Sequence, residues 1–443
     1  MAASFNLLRA EEEDDDEEEE GNDGIDRISS LPNSILCHIL SFLPTKTSVC
    51  TMSLVSRRWR NLWKNLEVFD FRDKWRDYSY HGPDDEYIEW FMFFTVFVNT
   101  ALALRRSNVI RKFRLDCDHI EDDPFWAYSI DTWMSIAIGP HLEEFHLTLF
   151  TAGFNDLPLK LFSCSNLVSL RLKGYISLQF QDTSEICLPS LKVLHLLDMD
   201  HLDLNSVNML LSGCPVLENL KLCFCPESFA KLQAPSSLTR LKVKVQNEVG
   251  TCLEIDAPGL KYLSLTKVIL GDVFGNLHNV EEAYLDVFST PESKSVEPLY
   301  ILLRALSGVK RLELSDSTTK CLFVAPVLDF PEFRYLLHLK LWLLSFNATF
   351  LFDMLQKCPM LQTLITFSQK GGRSYDSSPS YRCEVKPKRN ELEFFQYVLQ
   401  NGLVLKTMII DDGWFHSLNQ LDEWLKKICD LPRGSAMCQV KFY

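Results

Sequence analysis

The strongest constraint on the fold is a leucine pattern, L-x-x-L-x-L, that recurs through the middle of a 443-residue chain. Clear copies are "NLVSLRL", "SLKVLHL", "VLENLKL" and "GLKYLSL", and looser copies keep the same spacing. Repetition at a restricted period predicts stacked copies of one structural unit rather than a single globular core. The copies start at Leu142, Leu167, Leu191, Leu217, Leu238, Leu260, Val280, Val309, Leu336 and Leu361, so successive starts are 20 to 29 residues apart.

The end of each copy has the spacing of one face of a β-strand. Residues two apart point to the same side of a strand, so each L-x-L pair faces one core. Stacked strands bury that face together beneath a curved parallel sheet, and the period predicts a leucine-rich-repeat solenoid over residues 106–367. Only Cys225 supplies the Asn or Cys usual at the ninth position, so we expect an irregular solenoid. An earlier copy around Ile110, Phe113 and Leu115 is expected to cap the array.

Charge is concentrated at the N-terminus. The ten consecutive carboxylates of Glu11–Glu20 account for most of the net charge of −14, and the remainder is −14 + 10 = −4. A run of like charges with nothing apolar to bury predicts a disordered acidic tail over residues 1–24. General nucleic-acid binders need cations to meet phosphates. We therefore expect no nucleic-acid partner.

We find no sequence signal for secretion or membrane insertion. The start, "MAASFNLLRA", lacks the basic residues and long apolar core of a secretory signal. Fourteen cysteines spread over a long chain then indicate reduced thiols and a place in the nucleus and/or cytoplasm. The most apolar stretch, Trp90–Leu104, has 15 residues, whereas a membrane span needs about 20. It predicts a buried helix and no membrane partner.

Composition assigns the remaining segments. Residues 25–70 are expected to form a compact helical module, 71–105 a connector with the apolar helix, and 368–382 a linker rich in Gly, Ser and Pro. The Ser378-Pro379 pair is either a phosphosite or plain linker. Residues 383–443 predict a small α/β module. Its elements are a helix in "ELEFFQYVLQNG" ending at Gly402, a strand in "LVLKTMII", a helix in "QLDEWLKKICDLP" and a strand in "MCQVKFY".

The sequence offers only weak candidates for a metal-binding or catalytic motif. Zinc needs four convergent ligands, and the nearest cysteine pair, Cys223 and Cys225, supplies two at an unusual spacing. Three other cysteines, Cys164, Cys214 and Cys358, each precede the first leucine of a repeat by three residues, which indicates small apolar fillers. We predict no metal, no cofactor and no catalytic residue. An enzyme built on the repeats is a further alternative.

Residues between the leucines should face away from the core. His146 and His195 occupy such positions, where they are either solvated or in contact with a partner. Several middle repeats carry basic residues there. They form either an ordinary soluble strand face or a stripe that favours an acidic or phosphorylated protein target. The predicted target-binding residues are Arg171, Lys173, His195, Lys221, Arg240, Lys242, Lys244, Tyr262, Tyr284 and Trp342.

The N-terminal helical module carries more apolar side chains than it can bury. Ser34 can start a helix that Pro44 ends, with apolar residues at helical spacing between them. A second helical stretch over 46–63 includes Trp59 and Trp63. A module of roughly forty residues is too small to enclose all of these groups. The apolar side chains that the module cannot enclose predict a partner-binding face.

This module resembles the F-box. The matching features are Leu31-Pro32, the I-L-x-x-I-L helix, "FLPTK" at 42–46 and "SRRWRNLW" at 56–63. The segments "ELEFFQYVLQNGLVLKTMII" and "LPRGSAMCQVKF" resemble the FBD domain of plant F-box proteins. With the repeats, the likeness is to the plant F-box/FBD/leucine-rich-repeat family. It implies an α/β chain with a three-helix F-box module, the repeat solenoid and a C-terminal FBD module.

The resemblance implies a substrate receptor of an SCF-type ubiquitin ligase that performs no covalent chemistry itself. The F-box would bind the ligase's adaptor protein and through it a cullin, while the repeats hold an unknown protein target. A scaffold that binds the adaptor without directing ubiquitination is the alternative. By match to the motif, the adaptor-binding residues are Leu31, Pro32, Ile35, Leu36, Ile39, Leu40 and Leu43. Some of these must instead belong to the internal core, because a three-helix module needs its own, and Trp59 and Trp63 are assigned mainly to that core.

Overall fold

The computed structural model describes most of the chain from residue 28 onward. The acidic tail and most of the predicted linker, with Ser378 and Pro379, lie outside the described residues. So does Cys225. The described residues are 28, 30–72, 84–120, 124–151, 157–180, 186–199, 202–224, 230–245, 252–274, 277–288, 296–324, 330–343, 347–368, 389–402, 404–410, 426–428 and 431–442.

The N-terminal module consists of three helical segments. The first, α1, spans Asn33–Leu40. A π-helical turn at Thr47–Thr51 continues into a 3₁₀ turn at Met52–Leu54, and a further 3₁₀ segment spans Trp59–Asn65. The predicted second helix is thus broken in the middle rather than continuous over 46–63. Trp59 and Trp63 are buried, as predicted.

Within the described residues, 16 parallel strands form one sheet. Fourteen of them lie side by side in chain order, and β7 and β9 form a branch beside β10. The strands are β1 Val68–Arg72, β2 Lys112–Ile120, β3 Glu144–Thr151, β4 Ser169–Gly174, β5 Val193–Met199, β6 Asn219–Phe224, β7 Ala230–Gln233, β8 Arg240–Val245, β9 Cys252–Asp256, β10 Tyr262–Phe274, β11 Glu282–Phe288, β12 Arg311–Leu314, β13 His338–Leu343, β14 Thr363–Ser368, β15 Thr407–Ile410 and β16 Gln439–Phe442.

The leucines of the repeat form continuous rows across this sheet. Leu170 of β4 is in register with Leu194 of β5, which is in register with Leu220 of β6 and then Leu241 of β8. All four side chains are fully buried. Burying each contributes roughly 1.5–3 kcal/mol, so the stacked rows are the main source of stability. Pairing shifts in β2, β5 and β10 confirm the predicted irregularity.

Helices cover the leucine side of the sheet, because their buried residues and the strand leucines belong to one core. The helices that follow α1 are α2 Asp84–Leu104, α3 Pro124–Ala137, α4 Leu204–Ser212, α5 Glu297–Ala305, α6 Asp316–Val324, α7 Ala348–Gln356 and α8 Arg389–Asn401.

Helix α2 contains the apolar stretch singled out in the sequence. It buries Phe91, Phe94 and Val98 in the common core and leaves Met92 and Val96 exposed. No described helix combines the length and apolar character that crossing a bilayer requires.

Both ends of the sheet extend beyond the predicted repeats. Strand β1 pairs with β2, so the strand containing Phe113 and Leu115 does not cap the array, and that prediction is wrong. The sequence "VFDF" has the alternation of a strand without the leucine pattern, which explains the miss.

At the C-terminal end, β15 and β16 continue the sheet from β14. The predicted FBD module therefore adds strands to the solenoid. The predicted helix before Gly402 is confirmed, since α8 ends at Asn401. Of the next predicted helix, residues 426–428 and 431–432 are described; 426–428 are helical and 431–432 are not.

Candidate partner-binding surfaces

The first surface lies on the N-terminal module, where α1 presents two adjacent apolar stripes. Ile35 and Ile39, one turn apart, are 45% and 37% exposed, and Phe42 beyond the helix is 74% exposed. Leu36 and Leu40 are fully buried against the Trp59–Asn65 segment. One stripe therefore stabilises the module and the other faces solvent.

The structure divides the seven predicted adaptor-binding residues. Pro32, Ile35 and Ile39 are exposed, and Leu31 and Leu43 are partly buried against the core. Leu36 and Leu40 belong to the module's own core, so their assignment to the adaptor surface is wrong. Spacing alone could not separate the two stripes, because both follow the helical period.

Leu54 and Val55 enlarge the exposed apolar surface beyond the predicted residues. Leu54 ends the second helical segment and Val55 follows it, and they are 86% and 57% exposed. With Ile35, Ile39 and Phe42 they define what we call the F-box apolar face. Several large exposed apolar side chains on one small module are typical of a protein-binding site.

The start of α1 is held by Arg58, which immediately precedes the Trp59–Asn65 segment. Arg58 donates from Nε and Nη2 to Oδ1 of Asn33, at 3.0 and 2.8 Å, and also contacts the carbonyl of Leu31. Hydrogen bonds to charged donors are stronger than neutral ones. The Leu31-Pro32 entry to the helix is thereby fixed beside the F-box apolar face.

The second surface is the side of the sheet opposite the leucines, which we call the polar strand face. Alternation along each strand places all ten predicted target-binding residues on it, as expected from period two. A single row of register partners runs from Arg171 through His195 and Lys221 to Lys242. The next residues in that row are Ser264, Tyr284, Glu313 and Lys340.

Towards β1, the basic residues on this face have acidic partners. Lys112 Nζ lies 2.7 Å from Glu144 Oε1 on the neighbouring strand. Arg114 lies 3.0 Å from Asp116 and 3.8 Å from Asp70. These pairs balance the charge of the first three strands.

Towards β14, the face is again charge-paired and also aromatic. Arg311 pairs with Glu282 at 3.1 Å, and Lys340 pairs with Glu313 at 2.8 Å. Nε1 of Trp342 donates to the same Glu313 carboxylate at 2.9 Å. The Trp342 ring stacks on Phe367 of β14 with centroids 4.5 Å apart.

A cleft of about 330 Å³ lies among these paired groups. Tyr262 and Tyr284 line it together with His338 and the two ion pairs. Burial, with Asp286 and Glu313 nearby, raises the pKa of Tyr284 to about 12. The phenol is therefore neutral at pH 7, and the cleft suits hydrogen bonding and ring contact.

The centre of the face, from β4 to β8, differs from both ends. Six basic side chains face outward there, and among the described residues only Lys173 has a carboxylate partner, Asp198 at 3.9 Å. Arg240 and Lys242 lie over the Tyr262 ring, 4.4 and 5.4 Å from its centroid. We call this set the basic centre: Arg171, Lys173, Lys221, Arg240, Lys242 and Lys244.

Two histidines in the same row are partly buried rather than fully solvated. Burial, followed by the positive charge of Arg171, lowers the pKa of both His146 and His195 to about 4. Nε2 of His146 is buried and has no hydrogen-bond partner among the described residues. At pH 7 both rings are neutral, and the charge of the basic centre comes from its lysines and arginines.

Among the residues that the structure describes, no group of three or more His, Cys, Asp or Glu is arranged to hold a metal ion. Cys164, Cys214 and Cys358 are buried, and each Sγ donates to the carbonyl four residues earlier. Their position before the strands agrees with the filler role predicted for them.

Comparison with protein families assigns both parts of the chain. The family model described as "F-box domain" matches residues 28–71, which end within β1. The model described as "At1g61320/AtMIF1, LRR domain" matches residues 102–386, more than half of the chain. The first match covers the helical module and most of β1, and the second covers the strands from β2 to β14.

Relatives from Arabidopsis thaliana match nearly the whole chain. The "F-box/FBD/LRR-repeat protein At4g26340" is 30% identical over 94% of this chain and 100% of the relative. The "F-box/FBD/LRR-repeat protein At1g78750" is 29% identical over 95% of this chain and 97% of the relative. F-box proteins with leucine-rich repeats generally act as substrate adaptors rather than catalysts. The chain belongs to the plant F-box/FBD/LRR-repeat family.

Proposed function

We propose that this chain is the substrate-recognition subunit of an SCF-type E3 ubiquitin ligase. The observation that carries the proposal is the F-box apolar face. Five apolar side chains of a small module face solvent, although the module has its own core of leucines and tryptophans. Exposed apolar area of this kind is stabilised by a partner, and the F-box match supports the ligase's adaptor protein as that partner.

The target would bind the polar strand face. The helical module is tied to the sheet through Thr45 and Asp70 and through the backbone of Lys64, which accepts from Arg106 at 2.7 Å. Target and adaptor would thus be held at a defined separation on one body. The contribution to ubiquitination is proximity, which raises the effective concentration of the target near the charged enzyme.

On this proposal the chain performs no covalent chemistry, needs no cofactor and joins a cullin only through the adaptor. Its place of action would be the nucleus, the cytoplasm or both. The adaptor-binding residues become Pro32, Ile35, Ile39, Phe42, Leu54 and Val55, with Leu31 and Leu43 contributing their exposed parts.

Co-purification with the SCF adaptor tests the first half of the proposal. We expect the native chain to bind and the Ile35→Glu variant to lose binding, because a carboxylate would be buried against an apolar partner. Met360→Glu is the matched control, since Met360 is 46% exposed on a repeat far along the chain. Equal binding by both variants would contradict the proposal.

A reconstituted ligase tests the second half. If a protein captured by the strand face becomes ubiquitinated only when the native chain is present, the receptor role is supported. Adaptor binding without ubiquitin transfer to any captured protein would favour the scaffold alternative.

A further inference from the structure

The basic centre places like charges opposite each other on neighbouring strands, whereas basic residues towards both ends of the polar strand face lie opposite acidic ones. Lys221 and Lys242 are direct register partners on neighbouring strands, which lie about 4.8 Å apart. Like charges placed directly opposite each other destabilise a sheet. Lys112 and Lys340, by contrast, each face a glutamate across the strands.

Solubility alone does not account for this contrast. A soluble face needs charges, and interspersed signs supply them at no repulsive cost, as both ends of this face show. Five of the six cations have no carboxylate partner among the described residues, although the chain as a whole is acidic, at −14. The Tyr262 ring, beneath Arg240 and Lys242, offsets only part of this repulsion. A local rule broken with only partial compensation in the free protein is typical of a binding site.

We infer that the basic centre binds an extended acidic peptide segment, a run of Asp and Glu side chains, in the protein that this receptor recognises. The role of this chain as a receptor rests on the proposed function above. The surface and its ligand chemistry rest on the register and charges of β4 to β8.

The spread of the cations favours several carboxylates over one phosphate. Arg171 and Lys242 are three strand spacings apart in one row, which is roughly 14 Å. An extended peptide covers that distance in about four to five residues. A single phosphate needs donors that converge on one point, whereas these side chains are distributed along a line with neutral His195 among them.

The protein's own sequence contains a segment of the same chemistry, Glu11–Glu20. Because it is covalently attached, it is a potential competitor for the basic centre at high effective concentration. The test therefore uses two forms of the full chain. One is native, and in the other Glu11–Glu20 are replaced by Gln and Asn.

The experiment measures binding of a fluorescent twelve-residue peptide rich in Asp and Glu to both forms of the chain. We expect saturable binding by at least one form, weakened by added salt. Lys221→Gln/Lys242→Gln should weaken it about tenfold, since two charge-assisted contacts are lost. Lys112→Gln/Lys310→Gln removes the same charge from paired positions and should change affinity less than about twofold.

Three outcomes would overturn the inference. They are the absence of peptide binding in both forms, equal weakening by the two double variants, and equally tight binding of a peptide whose only acidic group is one phosphoserine. Far-ultraviolet circular dichroism of each variant ensures that lost binding is not lost folding.

Adaptor co-purification of the native chain, compared with peptide binding by the same chain, separates this inference from the proposed function. Peptide binding without adaptor binding would leave the acidic-segment site standing and overturn the ligase role. Adaptor binding without peptide binding would do the reverse.

Discussion

Oγ1 of Thr45 accepts a hydrogen bond of 2.7 Å from the backbone N–H of Asp70, and Thr45 is only 1% exposed. Asp70 lies in β1, the edge strand that pairs on its other side with β2. An unpaired backbone N–H at a sheet edge is a site for unwanted pairing. The F-box module thus covers the first edge of the solenoid while being anchored to it.

This contact predicts a stability effect. Thr45→Val keeps the shape of the side chain but leaves the partly buried N–H of Asp70 without this acceptor, so the free energy of unfolding should fall by about 1 kcal/mol. Thr132→Val is the control, because its hydroxyl bonds the Tyr128 carbonyl on an exposed part of α3. Urea denaturation of both variants measures the difference, and equal losses would show that Thr45 has no anchoring role.

The alternation of the strands predicts opposite results at adjacent residues. Leu220→Ala should cost about 2–5 kcal/mol, because a fully buried side chain in the leucine row leaves a cavity. Lys221→Ala, one position along β6, should change stability by no more than about 0.5 kcal/mol. The denaturant midpoints of the two variants check this, and a large loss for Lys221→Ala would mean that the polar strand face is part of the core.

The two stripes of α1 predict separate losses of folding and binding. Leu36→Ala should destabilise the F-box module by about 2–5 kcal/mol. Ile39→Ala should leave the unfolding midpoint nearly unchanged and weaken adaptor binding. Thermal unfolding together with adaptor titration distinguishes the two, and a stability loss of equal size in both variants would contradict the assignment of Ile39 to the surface.

The histidines of the strand face predict a pH dependence. The pKa of His195 is lowered from 6.5 to about 4 in the folded protein, by burial first and then by Arg171, Lys221, His146 and Lys242. Between those values the unfolded chain binds more protons, so stability falls as the pH drops from about 6.5 towards 4. His195→Gln removes this contribution.

The measurement is the urea midpoint of native protein and His195→Gln at pH 7 and pH 5. Carboxylates contribute their own pH dependence to both proteins, so the comparison between them is decisive. We expect the variant to lose less stability than the native protein. The same loss in both would mean that His195 is accessible to protons in the folded state.

The regular parts of the molecule could be predicted from local sequence. Leu194 and Leu196 identify β5 and its buried side because strand alternation has a fixed period of two. Helix α8 and its end before Gly402 follow from equally local signals.

The remaining features depend on register between distant residues. Lys340 and Glu313 are 27 positions apart, and only the pairing of β12 with β13 makes them partners. The contrast between paired ends and unpaired centre was therefore invisible in the sequence, although the basic residues themselves were not. Likewise, Leu36 and Ile39 follow the same helical period, and only the packing of the helical module makes one fully buried and the other exposed.

The separation of leucine rows from the polar strand face has a consequence for how such proteins diversify. Residues that hold the solenoid together and residues that meet a partner occupy alternate positions of the same strands, so either set can change while the other stays fixed. A new recognition surface can then arise by single substitutions that leave the fold intact. The repeat body is a platform on which specificity can change independently of stability.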